Sequence, residues 1–322
     1  MRLLKSILLI TFIGLSLLSS YGQDVFYSQS GANKLNHNPS LAGSEGDSQA
    51  YMAYRNQYSG LLTGMSTYFV SAESYISSMH SGIALSVSHN IGLSGAENIS
   101  TFYGYYSYRV VDKKHMNFNL GIKGGIMFMS LNSRDLIFPD QYGGNSSSEN
   151  FSVNEKAYDF GIGLSGNIRS VFGGIAIEHI ARPNFSDQVD NYIPANYSAF
   201  IGSRIPIYKG KYNSKTVSVE VLPLISFFRQ GVNNQFLYGI GFKHRFFYAG
   251  VFARNNLSFN VLDAVIVGKV FYKKIAVGYS YDYSVFKFKG ASFGGSNELT
   301  IQYLFGNPEN KTKVMAIKCP RF

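Results

Sequence analysis

From about residue 48 to residue 305 the chain alternates apolar and polar residues with a period of two, again and again. A helix cannot sort such a pattern onto one face, whereas a strand does so automatically. In Ser81–His89, Ile83, Leu85 and Val87 share a face opposite Gly82, Ala84, Ser86 and Ser88. In Met116–Phe128, Phe118, Leu120, Ile122, Ile126 and Phe128 oppose Asn117, Asn119, Gly121 and Lys123. Tyr158, Phe160, Ile162 and Leu164 alternate with Asp159, Gly161, Gly163 and Ser165, and Ile275, Val277, Tyr279, Tyr281 and Tyr283 with Ala276, Gly278, Ser280, Asp282 and Ser284. The pattern predicts fourteen strands, near 48–56, 67–76, 81–91, 99–110, 116–130, 156–168, 171–180, 197–207, 216–228, 234–244, 246–255, 263–271, 275–284 and 297–305.

A soluble sandwich alternates too, so the polar face must be read for what it holds. It is mostly Gly, Ser and Asn with an occasional Asp, Glu or Lys, while the apolar face ends in aromatics, as lipid-facing strands do at the two interfaces. Tyr103, Tyr105, Tyr106 and Tyr108 crowd one strand, where their hydroxyls suit head-group level. Only 15% of residues are charged, and there are 33 Gly, 24 Tyr and 26 Phe. That balance excludes a disordered chain or a coiled coil. Val217–Phe228, the best apolar stretch of the mature chain, is broken by Glu220 and Pro223 and is too short to cross a bilayer as a helix. A closed barrel is the remaining way to satisfy the backbone in lipid.

Connection lengths support the barrel independently. Ser77–His80, Val111–His115, Arg169–Ser170, Tyr208–Lys215, His244–Arg245 and Lys273–Lys274 are short; Gly92–Asn98, Asn132–Glu155, Ala181–Asn196, Asn256–Leu262 and Val285–Ser296 are long. Short periplasmic turns and longer outer loops are the asymmetry of outer-membrane barrels, and an even strand count puts both termini on the periplasmic side. The short turns, with Lys243 beside one of them, and the tail hold fourteen basic and two acidic residues, more than enough to account for the net charge of +10. The basicity therefore lies in turns and not in one groove, which argues against nucleic acid. Outer-membrane lipid head groups or an acidic periplasmic partner would meet it.

The first 22 residues have the form of a signal peptide: Arg2 and Lys5, the apolar run Ile7–Leu18, then Ser20-Tyr21-Gly22, with cleavage expected near Gly22–Gln23. Residues 23–47 form an Asn-, Ser- and Gly-rich segment, 48–305 the barrel, and 306–322 a tail beyond Phe305. Several motifs carry no chemistry in this context. Gly161-Ile162-Gly163-Leu164-Ser165-Gly166 fits a dinucleotide fingerprint but continues as strand. Gly290-Ala291-Ser292-Phe293-Gly294 fits a nucleophile elbow without the helix that must follow. Ser88 and His89 are adjacent on a strand and face opposite ways. The six histidines show no paired metal spacing, and the single Cys319 excludes an intrachain disulfide. No cofactor and no enzymatic activity are expected.

Both ends carry more specific words. The mature start runs Gln23-Asp24-Val25-Phe26-Tyr27-Ser28-Gln29, then Asn36-His37-Asn38-Pro39-Ser40-Leu41-Ala42-Gly43-Ser44, then Tyr54-Arg55-Asn56-Gln57-Tyr58-Ser59-Gly60. Near the end stand Gly278-Tyr279-Ser280-Tyr281-Asp282-Tyr283-Ser284, Gly294-Gly295-Ser296-Asn297-Glu298-Leu299 and Cys319-Pro320-Arg321-Phe322. In these words the chain resembles the PorP/SprF family of outer-membrane proteins of the type IX secretion system, over essentially its whole mature length. Val25 and Tyr58 depart from the family's usual Pro and Trp but keep apolar bulk. The resemblance implies a non-enzymatic barrel of the secretion and gliding machinery. Such a barrel binds, exports or anchors a large secreted surface adhesin or another type IX cargo, and it associates with periplasmic lipoproteins.

Site expectations follow. Residues 23–47, with Asn38, Pro39 and Gly43, either plug the lumen or form a flexible leader, and Arg55, Asn56 and Gln57 belong to the same N-terminal motif. Phe138, Tyr142, Phe151 and Tyr192, with Asp187, give the two largest loops aromatic anchors and acid, which suits cargo binding or a solvated cap. Lys318, Cys319, Pro320, Arg321 and Phe322 end a periplasmic tail. The alternative functional class is an outer-membrane channel, porin-like or for hydrophobic substrates; an outer-membrane hydrolase would need a placed Ser–His pair.

Overall fold

The computed structural model describes residues 24–29, 33–58, 64–113, 115–133, 151–185, 192–212, 215–257, 262–285 and 294–305. They form one closed antiparallel barrel of fourteen staves. In chain order the strands are β1 (Gln49–Gln57), β2 (Met65–Ile76), β3 (Ser81–Gly92), β4 (Glu97–Lys113), β5 (Met116–Asn132), β6 (Ser152–Ile168), β7 (Val171–Glu178), β8 (Asn196–Ser203), β9 (Ile205–Tyr212), β10 (Lys215–Gln230), β11 (Asn233–Lys243), β12 (Phe247–Asn255), β13 (Leu262–Tyr272), β14 (Ile275–Ser284) and β15 (Ser296–Leu304). Consecutive strands pair, except that β8 and β9 both pair with β10, and β1 pairs with β15 to close the ring, with Arg55 opposite Glu298 in that seam.

One predicted strand, 197–207, is divided. β8 and β9 are successive parts of a single stave, both paired with β10, and the break falls at Arg204. Pro206 cannot donate to the ladder and the register slips beside Glu220, so the stave bends there. Beyond the bend pairing continues to Tyr212↔Lys215, so the expected connection Tyr208–Lys215 shortens to a tight turn. A second expectation changes for the tyrosine-rich strand. Tyr106 and Tyr108 face outward, but Tyr103 and Tyr105 are buried in the lumen, because the period of two splits the four between faces.

Elsewhere the alternation sorts as the sequence predicts, with the usual polarity inverted. On β6, Tyr158 is 63% exposed while its neighbour Asp159 is 0% exposed. Leu85, Leu120, Ile122, Phe160, Ile162, Val277 and Tyr279 likewise coat the outer surface. This is the distribution for a wall facing lipid with a polar interior. The lumen is not hollow. Phe172, Leu222, Leu224, Leu237, Tyr248, Phe252, Val265 and Val267 pack together inside one side of it, and residues 24–29 and 33–47 fill much of the rest.

Two rims differ. One carries the connections after β1, β3, β5, β7, β10, β12 and β14, including every connection longer than six residues; the other carries the tight turns. The long-loop rim has two short links as well, 231–232 and 93–96, the second replacing the long connection expected at Gly92–Asn98 because β3 and β4 run on to Gly92 and from Glu97. Phe305 ends the wall at the short-turn rim, exposed, with its N–H donating to the Ser48 carbonyl at 2.9 Å.

Candidate functional site

The most heavily bonded part of the lumen is the meeting of residues 24–47 with the wall, and four anchors hold it. The first is built on Asn38-Pro39-Ser40. Pro39 starts a short 3-10 turn (Pro39–Leu41), for which its fixed φ is suited, and Asn38 caps that turn. The Asn38 Oδ1 accepts from the Ser40 N–H at 2.9 Å and the Ser40 hydroxyl at 2.6 Å. Its Nδ2 donates to the Leu164 carbonyl at 3.0 Å and the Ile175 carbonyl at 2.9 Å, one on each of β6 and β7. An aspartate could supply the cap but not those donors.

The wall makes room for this turn by omitting side chains. A Cβ on Gly163 would stand 2.0 Å from Asn38 Oδ1, and one on Gly121 would stand 2.3 Å from the Ser40 backbone. Gly163 of the G-x-G-x-x-G stretch is therefore, with Gly121, a seat for another part of the chain. Ser165 and Asn119 bond Ser40, and Ser107 bonds the Ala42 carbonyl. Gly43 turns the chain at φ 63°, a left-handed position that favours glycine.

The second anchor is ionic. Lys34 Nζ lies 2.6 Å from Glu73 and 3.3 Å from Glu45, all three buried, while Glu73 also accepts from the Gly43 N–H at 3.0 Å. Gln49 bonds Glu73 as well.

The third anchor spans the closing seam. Arg55, 0% exposed, reaches Asp282 at 2.8 Å and Glu298 at 3.1 Å. Arg254 reaches Asp282 at 2.8 Å. Ser28 sits among them: its N–H donates to Glu298 at 2.7 Å, its hydroxyl donates to Asp282, and Arg55 and Arg254 donate to its oxygen at 2.6 and 3.1 Å. Gln29 adds bonds to Glu298 and Thr300. Four charges from β1, β12, β14 and β15 thus converge on one residue of the inner segment.

The fourth anchor holds Asp24 near the long-loop rim. Its carboxylate lies 2.8 Å from His179 Nε2 and 3.1 Å from Asn196, and its N–H donates to Gln230 at 2.8 Å. Burial alone would raise the Asp24 pKa, but the charge and hydrogen bond of His179, with Lys123 behind, hold it well below the usual carboxylate range. His179 Nδ1 is 3.0 Å from Asp159, and Lys123 bridges Asp159 at 3.4 Å and Glu178 at 3.2 Å. His37 is different: burial, helped by the charge of Arg254, lowers its pKa to about 4, so it is neutral near pH 7.

Between these anchors and the long-loop rim lies a cavity of about 620 Å³, lined by His37, Tyr58, Met65, Met129, Tyr192 and Ile193 among others. Asn38, Pro39, Gly43 and Arg55 of the N-terminal motif are brought together around the inner segment. Asn56 bonds Ser66 on β2 at 3.1 Å, and Gln57 pairs with Met65 at the rim, away from it. Phe151 is exposed beside β6 with its N–H on the Ser133 hydroxyl, and Tyr192 bridges Asn184 beneath Arg182. Phe138, Tyr142, Asp187 and the tail residues Lys318, Cys319, Pro320, Arg321 and Phe322 lie outside the described residues, as do Ala291-Ser292-Phe293 of the elbow-like motif. Ser88 bonds Thr101 and His89 bonds Ser100, so these two neighbours are engaged separately.

Sequence reasoning missed Ser28, Lys34, Glu73, Lys123, Asp159, Glu178, His179, Arg254, Asp282 and Glu298 as one constellation. For those on the strands the signal was a charge on a face otherwise given largely to Gly, Ser and Asn; Ser28 and Lys34 of the inner segment carried none.

The chain was then compared with known proteins. The model of the type IX secretion system membrane protein PorP/SprF family matches residues 19–303. No curated protein matches it. Among solved structures, the Pseudomonas putida toluene transporter TodX superposes with a TM-score of 0.51 at 8% identity, over 88% of this chain and 98% of that one. Omp33 of Acinetobacter baumannii gives 0.44 at 9% identity, over 82% and 100%. CdiB of Acinetobacter baumannii gives 0.36 at 10% identity over 80% of this chain, which spans only 60% of CdiB. At such identities the likeness is one of fold, an outer-membrane barrel.

Proposed function

The chain belongs to the type IX secretion system membrane protein PorP/SprF family, and from that premise we propose that it is a non-enzymatic barrel that binds, exports or anchors a large secreted surface adhesin or another type IX cargo. The cargo's C-terminal domain docks at the long-loop rim, taken to be the cell exterior, where Phe138, Tyr142, Phe151, Tyr192 and Asp187 contribute. The short-turn rim and residues 306–322, ending in Lys318, Cys319, Pro320, Arg321 and Phe322, couple the barrel to periplasmic lipoproteins of the machinery. Residues 23–47 act as a plug.

What supports a scaffold over a diffusion pore is the occupied lumen. Asn38, Lys34, Ser28 and Asp24 each bond wall residues. Affinity capture from detergent-solubilised outer membranes, with mass spectrometry, tests the proposal. Co-purification of one very large secreted protein through its C-terminal domain supports it. A barrel that purifies alone and conducts ions in a planar bilayer rejects it for a channel, a reading for which the 620 Å³ cavity is the favouring observation.

A further inference from the structure

The short-turn rim departs from ordinary turn chemistry in a consistent direction. Left-handed backbone positions in tight turns favour Gly or Asn, yet here they hold His80 (φ 51°), Arg169 (φ 55°) and Lys273 (φ 51°). In the two-residue turn between β13 and β14 both residues are lysine, and the first, Lys273, holds the left-handed position that such a hairpin turn usually gives to glycine. Local preference has been given up for positive charge.

At one place on this rim the charge is organised. The turn 244–246 and the turn 273–274 are joined, since the Phe271 N–H donates to the Phe246 carbonyl at 2.9 Å. The Arg245 guanidinium lies 4.9 Å from the Phe246 ring centroid, and Lys273 Nζ lies 5.3 Å from that of Tyr272. Phe246, Phe247 and Tyr272 are all exposed and continue the outer apolar surface of Phe242, Val270 and Ile275. Lys274 Nζ lies 3.5 Å from the Phe305 carbonyl. Strands β11 to β14 bring no carboxylate to this rim: their acids, Asp263 and Asp282, stand at the opposite rim, bonded to Ser284 and to Arg55 and Arg254.

Cationic heads held over rings that face lipid, with no carboxylate from β11 to β14 at this rim and Glu220 of β10 engaged by Arg204 at 3.3 Å, match a phosphodiester whose acyl chains lie against the wall. We propose that these two turns bind an anionic phospholipid of the adjacent leaflet. Arg245, Lys273 and Lys274 take the phosphate oxygens, and Phe246, Phe247 and Tyr272 pack against the glycerol and first methylenes. The site stands apart from the cargo reading and can fail without it.

The test uses the full-length protein in nonionic detergent and native mass spectrometry with dioleoyl phosphatidylglycerol or phosphatidylcholine as probe. The variant Lys273→Gly/Lys274→Asn puts glycine at the left-handed position, so heat-modifiable gel mobility should show an assembled barrel. Wild-type protein should retain phosphatidylglycerol in preference to phosphatidylcholine, and the variant should bind phosphatidylglycerol roughly 30-fold more weakly with phosphatidylcholine unchanged. Adding Arg245→Gln should remove the remaining preference. Equal phosphatidylglycerol binding by variant and wild type would overturn the assignment. So would a polyglutamate peptide that binds the wild type and displaces the lipid, which would give the turns to an acidic protein partner.

Discussion

Replacing Arg55 by alanine should unseat the inner segment without dismantling the wall. The substitution removes the contacts at 2.8 Å to Asp282 and 3.1 Å to Glu298, together with the 2.6 Å bond to the Ser28 hydroxyl. Asp282 keeps Arg254 at 2.8 Å, whereas Glu298 keeps only the N–H groups of Ser28 and Gln29, at 2.7 and 3.2 Å, among these contacts. Breaking a buried ion pair costs about 3–5 kcal/mol, and the retained partners place this case at the lower end, about 3 kcal/mol. That energy corresponds to roughly a hundredfold rise in the unseated population. A reporter is available at Ser40, which is 0% exposed beneath the seat. In a Cys319→Ser background, Ser40→Cys should react with a membrane-impermeant maleimide about a hundred times faster when Arg55 is alanine. Adding Glu298→Gln should recover part of the protection, because the stranded carboxylate is neutralised. An unchanged labelling rate, in protein whose gel mobility shows a folded barrel, would mean that the seam charges do not hold the segment.

Three further outcomes follow from the same contacts. Gly163→Ala should push Asn38 out of its seat, costing about 1–3 kcal/mol by overpacking, and should raise Ser40→Cys labelling as Arg55→Ala does. Acidification should loosen the segment through His37. Its folded pKa, about 4, lies below the ordinary 6.5, so the stabilisation is complete above pH 6.5 and is lost as pH falls toward 4. The limit is about 3 kcal/mol, and labelling against pH in His37→Gln should lose that slope. Removing residues 315–322 should leave the barrel assembled in the outer membrane and abolish cargo display at the cell surface; normal display in an immunofluorescence count would refute a coupling role for the tail.

The wall was legible because its period of two is written into every stave, and lipid on one side and a polar lumen on the other make a slip of one residue costly. Where the prediction failed, at 197–207, a proline and a bulge broke the ladder, and neither interrupts hydropathy enough to be seen. The tyrosines of β4 misled for a related reason. Composition suggested an interfacial belt, yet the strand period sends Tyr103 to Asp159 and Tyr105 to Ser86, both inside. The inner contacts were the least legible. Ser28 and Glu298 are 270 residues apart, and nothing local to either announces the other. Isolated charges such as Lys123 and Glu298 in Gly-, Ser- and Asn-rich faces were the available hint, since a charge buried in a lumen needs a partner. Glycine was ambiguous in the same way: Gly163 sits in a nucleotide-like spelling, but its lack of a side chain makes room for Asn38 and Pro39.

Arg55 and Glu298 face each other across the pairing of the first stave with the last. Arg55 therefore joins Arg254, Asp282 and Glu298 around Ser28 only when that pairing is complete, which makes the finished grip a report on closure. While the ring is open Ser28 lacks its Arg55 contact, and the final zippering of β15 onto β1 completes both wall and grip in one event. An incompletely built barrel would thus be recognisable, to a protease or a quality-control factor, by a more loosely held N-terminal segment.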